Sequence, residues 1–183
     1  MTQPSAPRRA DLSHIDTWLF DLDNTLYSAT SRLFDQIDVR IGEFIAQLFD
    51  VDSGEARKIQ KSYFRQHGTT LRGLMDEHDM APEKFLEYVH DIDFSSLEPR
   101  DGLDAALSAL PGRKLIFTNA DMPYSRKILA RLGVAHHFEH IYDIVAANYV
   151  PKPFPPAYDI LIKRHDVTPE STIFFEDIAR NLV

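Results

Sequence analysis

The sequence predicts an α/β fold in which a parallel β-sheet carries helices on both faces. Four short apolar runs stop abruptly at or near a polar residue, which is typical of strands buried on both faces. Helical patterns lie between the last three runs, and strands that alternate with helices indicate a parallel sheet. The predicted strands are "TWLFD", ending at Asp21, "KLIFT", ending at Thr118, "IYDIVAA", which precedes Lys152, and "TIFFED", ending at Glu176 and Asp177.

The helical segments between the later strands carry start and stop signals. "PYSRKILARLG" has Pro123 near its start and Gly133 as its predicted end. "PPAYDILIKRHD" repeats the scheme, with Ile160, Leu161 and the aliphatic stem of Lys163 on or near one face. Ligands of such sheets bind beyond the carboxyl ends of the strands. We therefore expect the polar residues that end the apolar runs to converge on one crevice.

A helical insertion is predicted between the first two strands, because Asp21 and Thr118 lie much further apart than one crossover helix requires. A second helical stretch should end at Gly68, and a third opens with Pro82, a residue suited to a first turn. The apolar stripe of the first helix keeps helical spacing through Leu33, Ile37, Ile41, Phe44 and Leu48.

These patterns set the predicted domain boundaries. Residues 28–97 form the all-helical insertion over the crevice, and residues 17–27 with 98–183 form the α/β core. Residues 1–16 should be a flexible tail, because "MTQPSAPRRADLSH" has no apolar segment of the kind that a signal peptide needs.

The composition excludes several classes of protein. A chain of 183 residues that is 44% hydrophobic can bury one core, or one core with an insertion. Its formal net charge of -8 opposes binding to a nucleic acid polymer. Without cysteine it has no disulfide or thiolate metal site, and no apolar stretch is long enough to span a membrane. We expect a cytoplasmic protein.

Two aspartates follow the first predicted strand in "FDLDNTLY". Two nearby carboxylates raise each other's pKa unless a positive charge compensates them. A calcium-binding EF-hand loop is excluded, because Leu26 stands where such a loop needs glycine and Arg32 where it needs glutamate. For Asp21 and Asp23 alone, a metal site and a simple Asx turn both remain open.

The other strand ends carry residues that would each be ordinary in isolation. Thr118 could cap the next helix, Lys152 could be a loop lysine, and Glu176 with Asp177 could begin a helix, where acidic residues complement the dipole. Lys152 is, however, held between two prolines, which restrict its backbone. Such residues at four predicted strand ends, in this order, indicate one site.

Together these residues resemble the four motifs of the haloacid dehalogenase (HAD) superfamily of phosphohydrolases, which are D-x-D-x-T, then Thr, then Lys, then an acidic pair. The resemblance runs from about Thr17 to the end of the chain. It implies a Rossmann-like parallel-sheet core with an all-helical cap domain of the first type inserted after the first strand. Within the superfamily, "DLDNTLY", "HGTTLRGL", "PKP" and "FFEDIARNL" resemble the pyrimidine 5′-nucleotidase branch.

The resemblance implies a role for each catalytic residue. Asp21 would attack phosphorus and form an aspartyl-phosphate, which divides a slow hydrolysis into two easier steps. Asp23 would protonate the leaving alkoxide and later activate water. Lys152 would add positive charge, and Thr118, assisted by Asn119, would donate a hydrogen bond to the phosphoryl group.

The same resemblance implies Mg²⁺ as the cofactor, an ion that prefers oxygen ligands and keeps several waters. Asp21 and Asp177 would supply side-chain ligands, and Asp23 its backbone carbonyl. Glu176 would be an outer ligand or a partner of a bound water.

The resemblance further implies a phosphomonoesterase for nucleoside 5′-monophosphates, with pyrimidine nucleotides expected. In "HGTTLRGL", Thr69, Thr70 and Arg72 would offer hydrogen bonds to a base or ribose, although an ordinary helix connection is also open. The alternatives are a phosphatase for a sugar phosphate or phosphoglycolate, and a truncated non-catalytic phosphate-binding protein. A dehalogenase is disfavoured, because it would not need Asp23.

Two further features complete the sequence-based expectations. Only six residues follow Asp177, whereas family members usually continue with a helix and a strand, so we expect a fragment or a natural truncation. His136, His137 and His140 fall between a helix end and a strand, where a surface connection is expected in preference to a metal site.

Overall fold

The computed structural model describes residues 10–182; residues 1–9 and 183 lie outside the described part. Four strands and seven α-helices are formed within it. In chain order they are β1 (Thr17–Phe20), α1 (Leu33–Phe49), α2 (Ser53–His67), α3 (Thr70–His78), α4 (Pro82–Val89), α5 (Asp101–Ala109), β2 (Arg113–Phe117), α6 (Met122–Leu132), β3 (His140–Tyr142), α7 (Pro155–His165) and β4 (Thr172–Phe175).

The strands form one parallel sheet in the order β3-β2-β1-β4. Phe20, the last residue of β1, is in register with Ile116 of β2 and with Phe175 of β4. The carboxyl ends of these three strands therefore lie side by side, and the predicted α/β fold with a parallel sheet is confirmed.

The two central strands, β1 and β2, are buried on both faces, as their continuous apolar runs predict, whereas the edge strands β3 and β4 are only partly buried. Every residue of β1 is buried. Trp18 and Phe20 pack into one cluster with residues of α1 and α6, whereas Leu19 packs on the opposite face with Leu161 of α7. Because successive side chains of a strand alternate between faces, both faces need a cover of helices.

The third strand is shorter than predicted. We expected a strand through "IYDIVAA", but β3 ends at Tyr142 and the chain then turns. The Asp143 carboxylate accepts hydrogen bonds from the backbone N–H groups of Met122 and Ala146, at 2.8 and 2.9 Å. Asn148 and Tyr149 have positive φ. The apolar pattern of "IYDIVAA" is that of a strand, but the hydrogen bonds of Asp143 hold its second half in a turn.

The insertion after β1 is all-helical and comprises α1 to α4. The buried stripe of α1 differs from the predicted one at its end, because Ile45 is buried while Leu48 is 44% exposed. Leu33 and Ile37 pack into the same apolar cluster as the core strands. The first helix of the insertion is therefore docked on the core.

Within residues 10–182, no helix is long and apolar enough to cross a bilayer.

The ordered core begins earlier than predicted. Ile15 is buried in the main apolar cluster. The Asp16 N–H donates to the carbonyl of Ser171 at 3.0 Å, and the Asp16 carbonyl accepts from the N–H of Arg113 at 2.8 Å. Assigning residues 15 and 16 to a flexible tail was therefore wrong, and the tail predicted for residues 1–9 lies outside the described residues.

The turn before β2 gives a stability prediction. Gly112 has φ +81, and a Cβ there would lie 2.9 Å from the backbone carbonyl carbon of Asp16 and closer still to its oxygen. Gly112→Ala should lower the free energy of unfolding by more than about 1–2 kcal/mol, the usual cost of a left-handed conformation for a residue with a Cβ. Urea denaturation measures this change.

Gly102 is the matched control, because it lies in α5 and a Cβ there would meet nothing within 4 Å. Gly102→Ala should stabilise the fold by up to about 1 kcal/mol through helix propensity. Equal effects of the two substitutions would contradict the proposed strain at Gly112.

Candidate active site

A cavity of about 550 Å³ lies between the carboxyl edge of the sheet and the helical insertion. All four predicted strand-end motifs contribute to its lining, which includes Asp21, Asp23, Thr118, Lys152, Glu176 and Asp177. The structure thus brings together residues that are up to 156 positions apart in the chain, counted from Asp21 to Asp177. The predicted convergence on one crevice is what the parallel register requires.

Lys152 is the central charge of the site and only 2% exposed. Its ammonium donates to the Asp21 carboxylate at 2.7 Å and to the Glu176 carboxylate at 2.6 Å. It also donates to the carbonyl of Phe117, the last residue of β2, at 2.9 Å. One buried cation therefore connects the ends of β1, β2 and β4.

Asn119 fixes the backbone of Lys152. Its side-chain carbonyl accepts from the Lys152 N–H at 2.8 Å, and its amide donates to the Lys152 carbonyl at 3.3 Å. Both halves of the amide are used in this pairing. Asn119 borders the cavity, but its contacts hold Lys152 and give no support to the predicted assistance to Thr118.

The carboxylates around Lys152 have shifted pKa values. Burial raises the pKa of Asp21 to about 7, although the Lys152 ammonium acts in the opposite direction. At Glu176 burial also acts to raise the pKa, but the charge and hydrogen bond of Lys152 outweigh it and the pKa is lowered. Burial and the neighbouring Glu176 raise the pKa of Asp177. One lysine does not compensate three carboxylates, so a further positive charge would stabilise their ionised forms.

The three carboxylates form an oxygen-only cluster. Asp21, Glu176 and Asp177 each place one carboxylate oxygen so that all three lie within 4.8 Å of one another. Hard dications such as Mg²⁺ prefer oxygen ligands of this kind and bind through few carboxylates. The donor set therefore fits Mg²⁺, and the side chain of Asp23 takes no part in it.

Asp23 is instead held by two tyrosines. Its Oδ1 atom accepts from the Tyr27 hydroxyl at 2.5 Å and from the Tyr124 hydroxyl at 2.7 Å. The His90 ring stacks on Tyr124, with ring centroids 4.2 Å apart. Burial raises the pKa of Asp23, against the effect of both hydroxyls. The two carboxylates of the first motif thus have different surroundings, since Asp21 faces a cation and Asp23 faces neutral donors.

Neither tyrosine was predicted as a site residue from the sequence. Tyr27 stands four residues after Asp23, and this spacing was a usable signal because the chain makes a helical turn there, with Leu26 N–H donating to the Leu22 carbonyl at 3.1 Å. Tyr124 lies in the first turn of α6 and is 101 residues away from Asp23, so no local pattern indicates the contact.

Thr118 lies where the second motif predicts, at the end of β2. It is buried, and its hydroxyl oxygen accepts from the Ala120 N–H at 3.0 Å. Among residues 10–182 this hydroxyl has no acceptor for its own hydrogen. A threonine hydroxyl has one hydrogen to donate, so Thr118 can offer it to a group in the cavity.

The polar segment "HGTTLRGL" begins a helix. The Thr69 hydroxyl caps α3 by accepting from the Arg72 N–H at 3.1 Å, and the Thr70 hydroxyl donates to the Gln60 carbonyl at 3.3 Å. The Arg72 guanidinium is paired with Asp76 at 2.7 Å. Thr69 and Thr70 border the cavity, but Arg72 is not among its lining residues. The contacts of all three support α3, and the structure does not bring Arg72 to the predicted site.

The cap side of the cavity is largely apolar, with three cationic side chains. Phe34 and Phe64 are exposed members of the apolar set, at 40% and 41% exposure, whereas Phe85 and Leu86 are buried in the cap. The apolar lining on the cap side comprises Phe34, Ile37, Ile41, Phe64, Leu71, Phe85, Leu86 and Val89. The cations are Lys61, Arg65 and Arg57, of which Arg57 is paired with Asp38. The site thus combines charged residues at the strand ends with a largely apolar cap side that suits an organic group.

Comparison with known proteins identifies relatives of this chain. It is 26% identical over 159 residues to Phosphate metabolism protein 8 of Saccharomyces cerevisiae. The aligned region covers 78% of this chain and 49% of the yeast protein, so the chain spans about half the length of that relative.

Solved structures share the fold. A HAD phosphatase from Thermococcus onnurineus has a TM-score of 0.54 at 18% identity, covering 87% of this chain and 76% of the other. The HAD hydrolase YfnB of Bacillus subtilis, bound to magnesium, has a TM-score of 0.53 at 16% identity, covering 92% and 82%. The L-2-haloacid dehalogenase of Xanthobacter autotrophicus, with chloropropionic acid covalently bound, has a TM-score of 0.50 at 16% identity, covering 87% and 69%.

At these identities the structural likeness concerns the fold alone, and it includes both a phosphatase and a dehalogenase. The sequence provides the stronger finding. The family model for haloacid dehalogenase-like hydrolases matches residues 15–182, which is nearly the whole chain. With the strand-end residues gathered around Lys152, this match shows that the chain belongs to the haloacid dehalogenase-like hydrolase family.

Proposed function

We propose that this chain is a Mg²⁺-dependent phosphomonoesterase that hydrolyses nucleoside 5′-monophosphates, with pyrimidine nucleotides preferred. The proposal rests on one observation, which is that the carboxylates of Asp21 and Asp23 have different surroundings. Asp21 lies against the Lys152 ammonium, and Asp23 lies apart from it between two tyrosine hydroxyls. Ester hydrolysis needs both a nucleophile and a proton donor, whereas displacement of a halide needs no proton for its leaving group.

Each half of the reaction uses this pair. The Asp21 carboxylate attacks phosphorus, the bond from phosphorus to the ester oxygen breaks, and Asp23 gives its proton to that oxygen. Water then attacks the aspartyl-phosphate, Asp23 takes a proton from the water, and Asp21 and inorganic phosphate are released. The raised pKa of Asp23 favours the protonated form that the first half requires.

The surrounding donors neutralise the charge of the phosphoryl group. Lys152 holds one Asp21 oxygen and adds positive charge next to the phosphoryl group, and Thr118 can donate its hydroxyl hydrogen to the phosphoryl oxygens. Mg²⁺, held by Asp21 and Asp177 with Glu176 beside them, would supply the positive charge that lets a carboxylate approach a phosphate dianion.

The leaving group would occupy the cap side of the cavity. An apolar wall with the exposed aromatic rings of Phe34 and Phe64 suits a flat base, because bases stack on aromatic side chains. The cations Lys61 and Arg65 suit a polar or anionic leaving group as well, whereas Arg57 is paired with Asp38. A sugar phosphate or phosphoglycolate is therefore the second candidate substrate.

A phosphate-release assay tests the proposed function. The purified chain should release phosphate from nucleoside monophosphates faster than from sugar phosphates or phosphoglycolate, and only when Mg²⁺ is present. Asp21→Asn should abolish this release and keep the fold, because an amide cannot attack phosphorus. Release that does not depend on Asp21 would refute the nucleophile assignment.

Removal of Asp177 tests the metal site. Asp177→Ala should weaken Mg²⁺ binding in a calorimetric titration and lower the turnover, because it removes a hard oxygen ligand from the cluster. Asp159→Ala, in α7 and outside the cavity lining, is the matched control and should bind Mg²⁺ like the parent. Unchanged Mg²⁺ affinity in Asp177→Ala would show that Asp177 is not a ligand.

The tyrosine pair gives a prediction about proton transfer. Tyr27→Phe and Tyr124→Phe each remove one hydrogen bond that orients Asp23. Each should lower kcat for an alkyl phosphate about tenfold, which is less than the roughly 100-fold or more that general acid catalysis usually contributes, because Asp23 itself remains. p-Nitrophenyl phosphate should be affected much less, because its leaving group needs no proton. Equal losses on the two esters would mean that the tyrosines only support the fold.

The exposed ring of Phe34 gives a prediction about selectivity. Stacking of a base on an aromatic ring contributes about 1–3 kcal/mol. If the base stacks on this ring, Phe34→Ala should therefore lower kcat/KM for uridine monophosphate roughly fivefold or more. Val39→Ala is the matched control, since Val39 is an exposed residue of the same helix that does not line the cavity. An equal loss for uridine monophosphate and p-nitrophenyl phosphate would exclude recognition of the base by Phe34.

A further inference from the structure

We propose that Asp104, His136 and His137 form a second metal site, which binds a divalent transition metal ion of intermediate softness such as Zn²⁺. The three residues each offer one ligand atom, and these atoms lie within 4.8 Å of one another. None of the three lines the cavity of the candidate active site. The site is therefore separate from the oxygen cluster and does not depend on the proposed hydrolysis.

The geometry places two imidazole nitrogens against one carboxylate oxygen. The Nε2 atoms of His137 and His136 lie 2.8 and 3.3 Å from Oδ1 of Asp104. In a tetrahedral zinc site with bonds of about 2.0 Å, neighbouring ligand atoms are about 3.3 Å apart. The two distances to Asp104 are thus close to those of a metal site, although the His137 contact would have to lengthen.

Local structure explains why adjacent histidines converge. His136 and His137 end a short 3-10 turn, Ala135–His137, that follows α6, and their rings lie 4.0 Å apart. Asp104 belongs to the first turn of α5. His140, the third histidine of this segment, takes no part in the cluster and packs on His165 instead. The carboxylate that completes the set comes from a different part of the chain.

The burial of the ligands suits uptake from solution. The His137 side chain is 9% exposed and is fixed by its packing, whereas His136 and Asp104 are 64% and 49% exposed. An ion can approach from the solvent side, with water completing its coordination. Two nitrogens and one oxygen favour Zn²⁺, Co²⁺ or Ni²⁺ over Mg²⁺, which prefers oxygen alone. The bound ion would join α5 to the segment that leads into β3.

The test is a titration of the metal-free protein with Co²⁺ in the presence of excess Mg²⁺, followed by displacement with Zn²⁺. The expected result is one Co²⁺ per chain with the visible absorption of a low-coordinate nitrogen–oxygen site, which disappears when Zn²⁺ is added. The same titration in an Asp177→Ala background removes a ligand of the active-site cluster and should leave the Co²⁺ signal unchanged. A signal that is lost in that background would assign the ion to the active site and overturn the proposal.

Ligand variants complete the test. His136→Ala, His137→Ala and Asp104→Ala should each lower the Zn²⁺ affinity at least about tenfold, since even changes outside the ligand shell cost about 10–100-fold. His136 is mostly exposed, so its variant should fold normally, as circular dichroism can check. His140→Ala is the matched control and should bind Zn²⁺ like the parent. Equal affinities in all four variants, or no Zn²⁺ binding by the parent, would show that the cluster is held by hydrogen bonds alone.

Discussion

The buried ion pair of Lys152 with Asp21 and Glu176 is the interaction on which the rest of the structure depends. An ammonium inside a protein is tolerated only when its charge and its hydrogens have partners, and here two carboxylates and the Phe117 carbonyl provide them. Removing one member of such a group commonly costs about 3–5 kcal/mol, because the remaining charge is left uncompensated. The same contacts hold three strand ends in place and orient Asp21, so stability and chemistry have one origin.

The part of the site that the sequence predicts is the part set by the backbone of the sheet. Apolar runs mark the strands, the residue after each run must lie at the carboxyl edge, and parallel register brings those edges together. Asp21, Thr118 and Glu176 could therefore be placed without coordinates. Lys152 follows no strand directly, and it was placed by its position between two prolines and by the resemblance to the family.

The features that the sequence did not predict depend on contacts between distant side chains. Tyr124 contacts Asp23 although the two residues are far apart in the chain. In α1, Ile45 is buried and Leu48 is exposed, because tertiary packing decides which side of the helix is covered. A polar segment also gives no sign of whether its hydroxyls face a ligand or its own backbone. The hydroxyls of Thr69 and Thr70 serve α3, an assignment that propensity and spacing leave undetermined.

The junction between α2 and α3 connects the cap to both loops that surround Lys152. The Arg180 guanidinium, just after the acidic pair, donates to the Gly68 carbonyl at 3.1 Å and lies 4.2 Å from the centre of the Phe64 ring. A Cβ on Gly68 would lie 2.8 Å from the ring of Phe154, which follows the lysine loop. The glycine thus allows the cap to rest directly on these two loops. This junction sets the position of the cap on the core. A change there would move the cap side of the cavity relative to the charged residues at the strand ends.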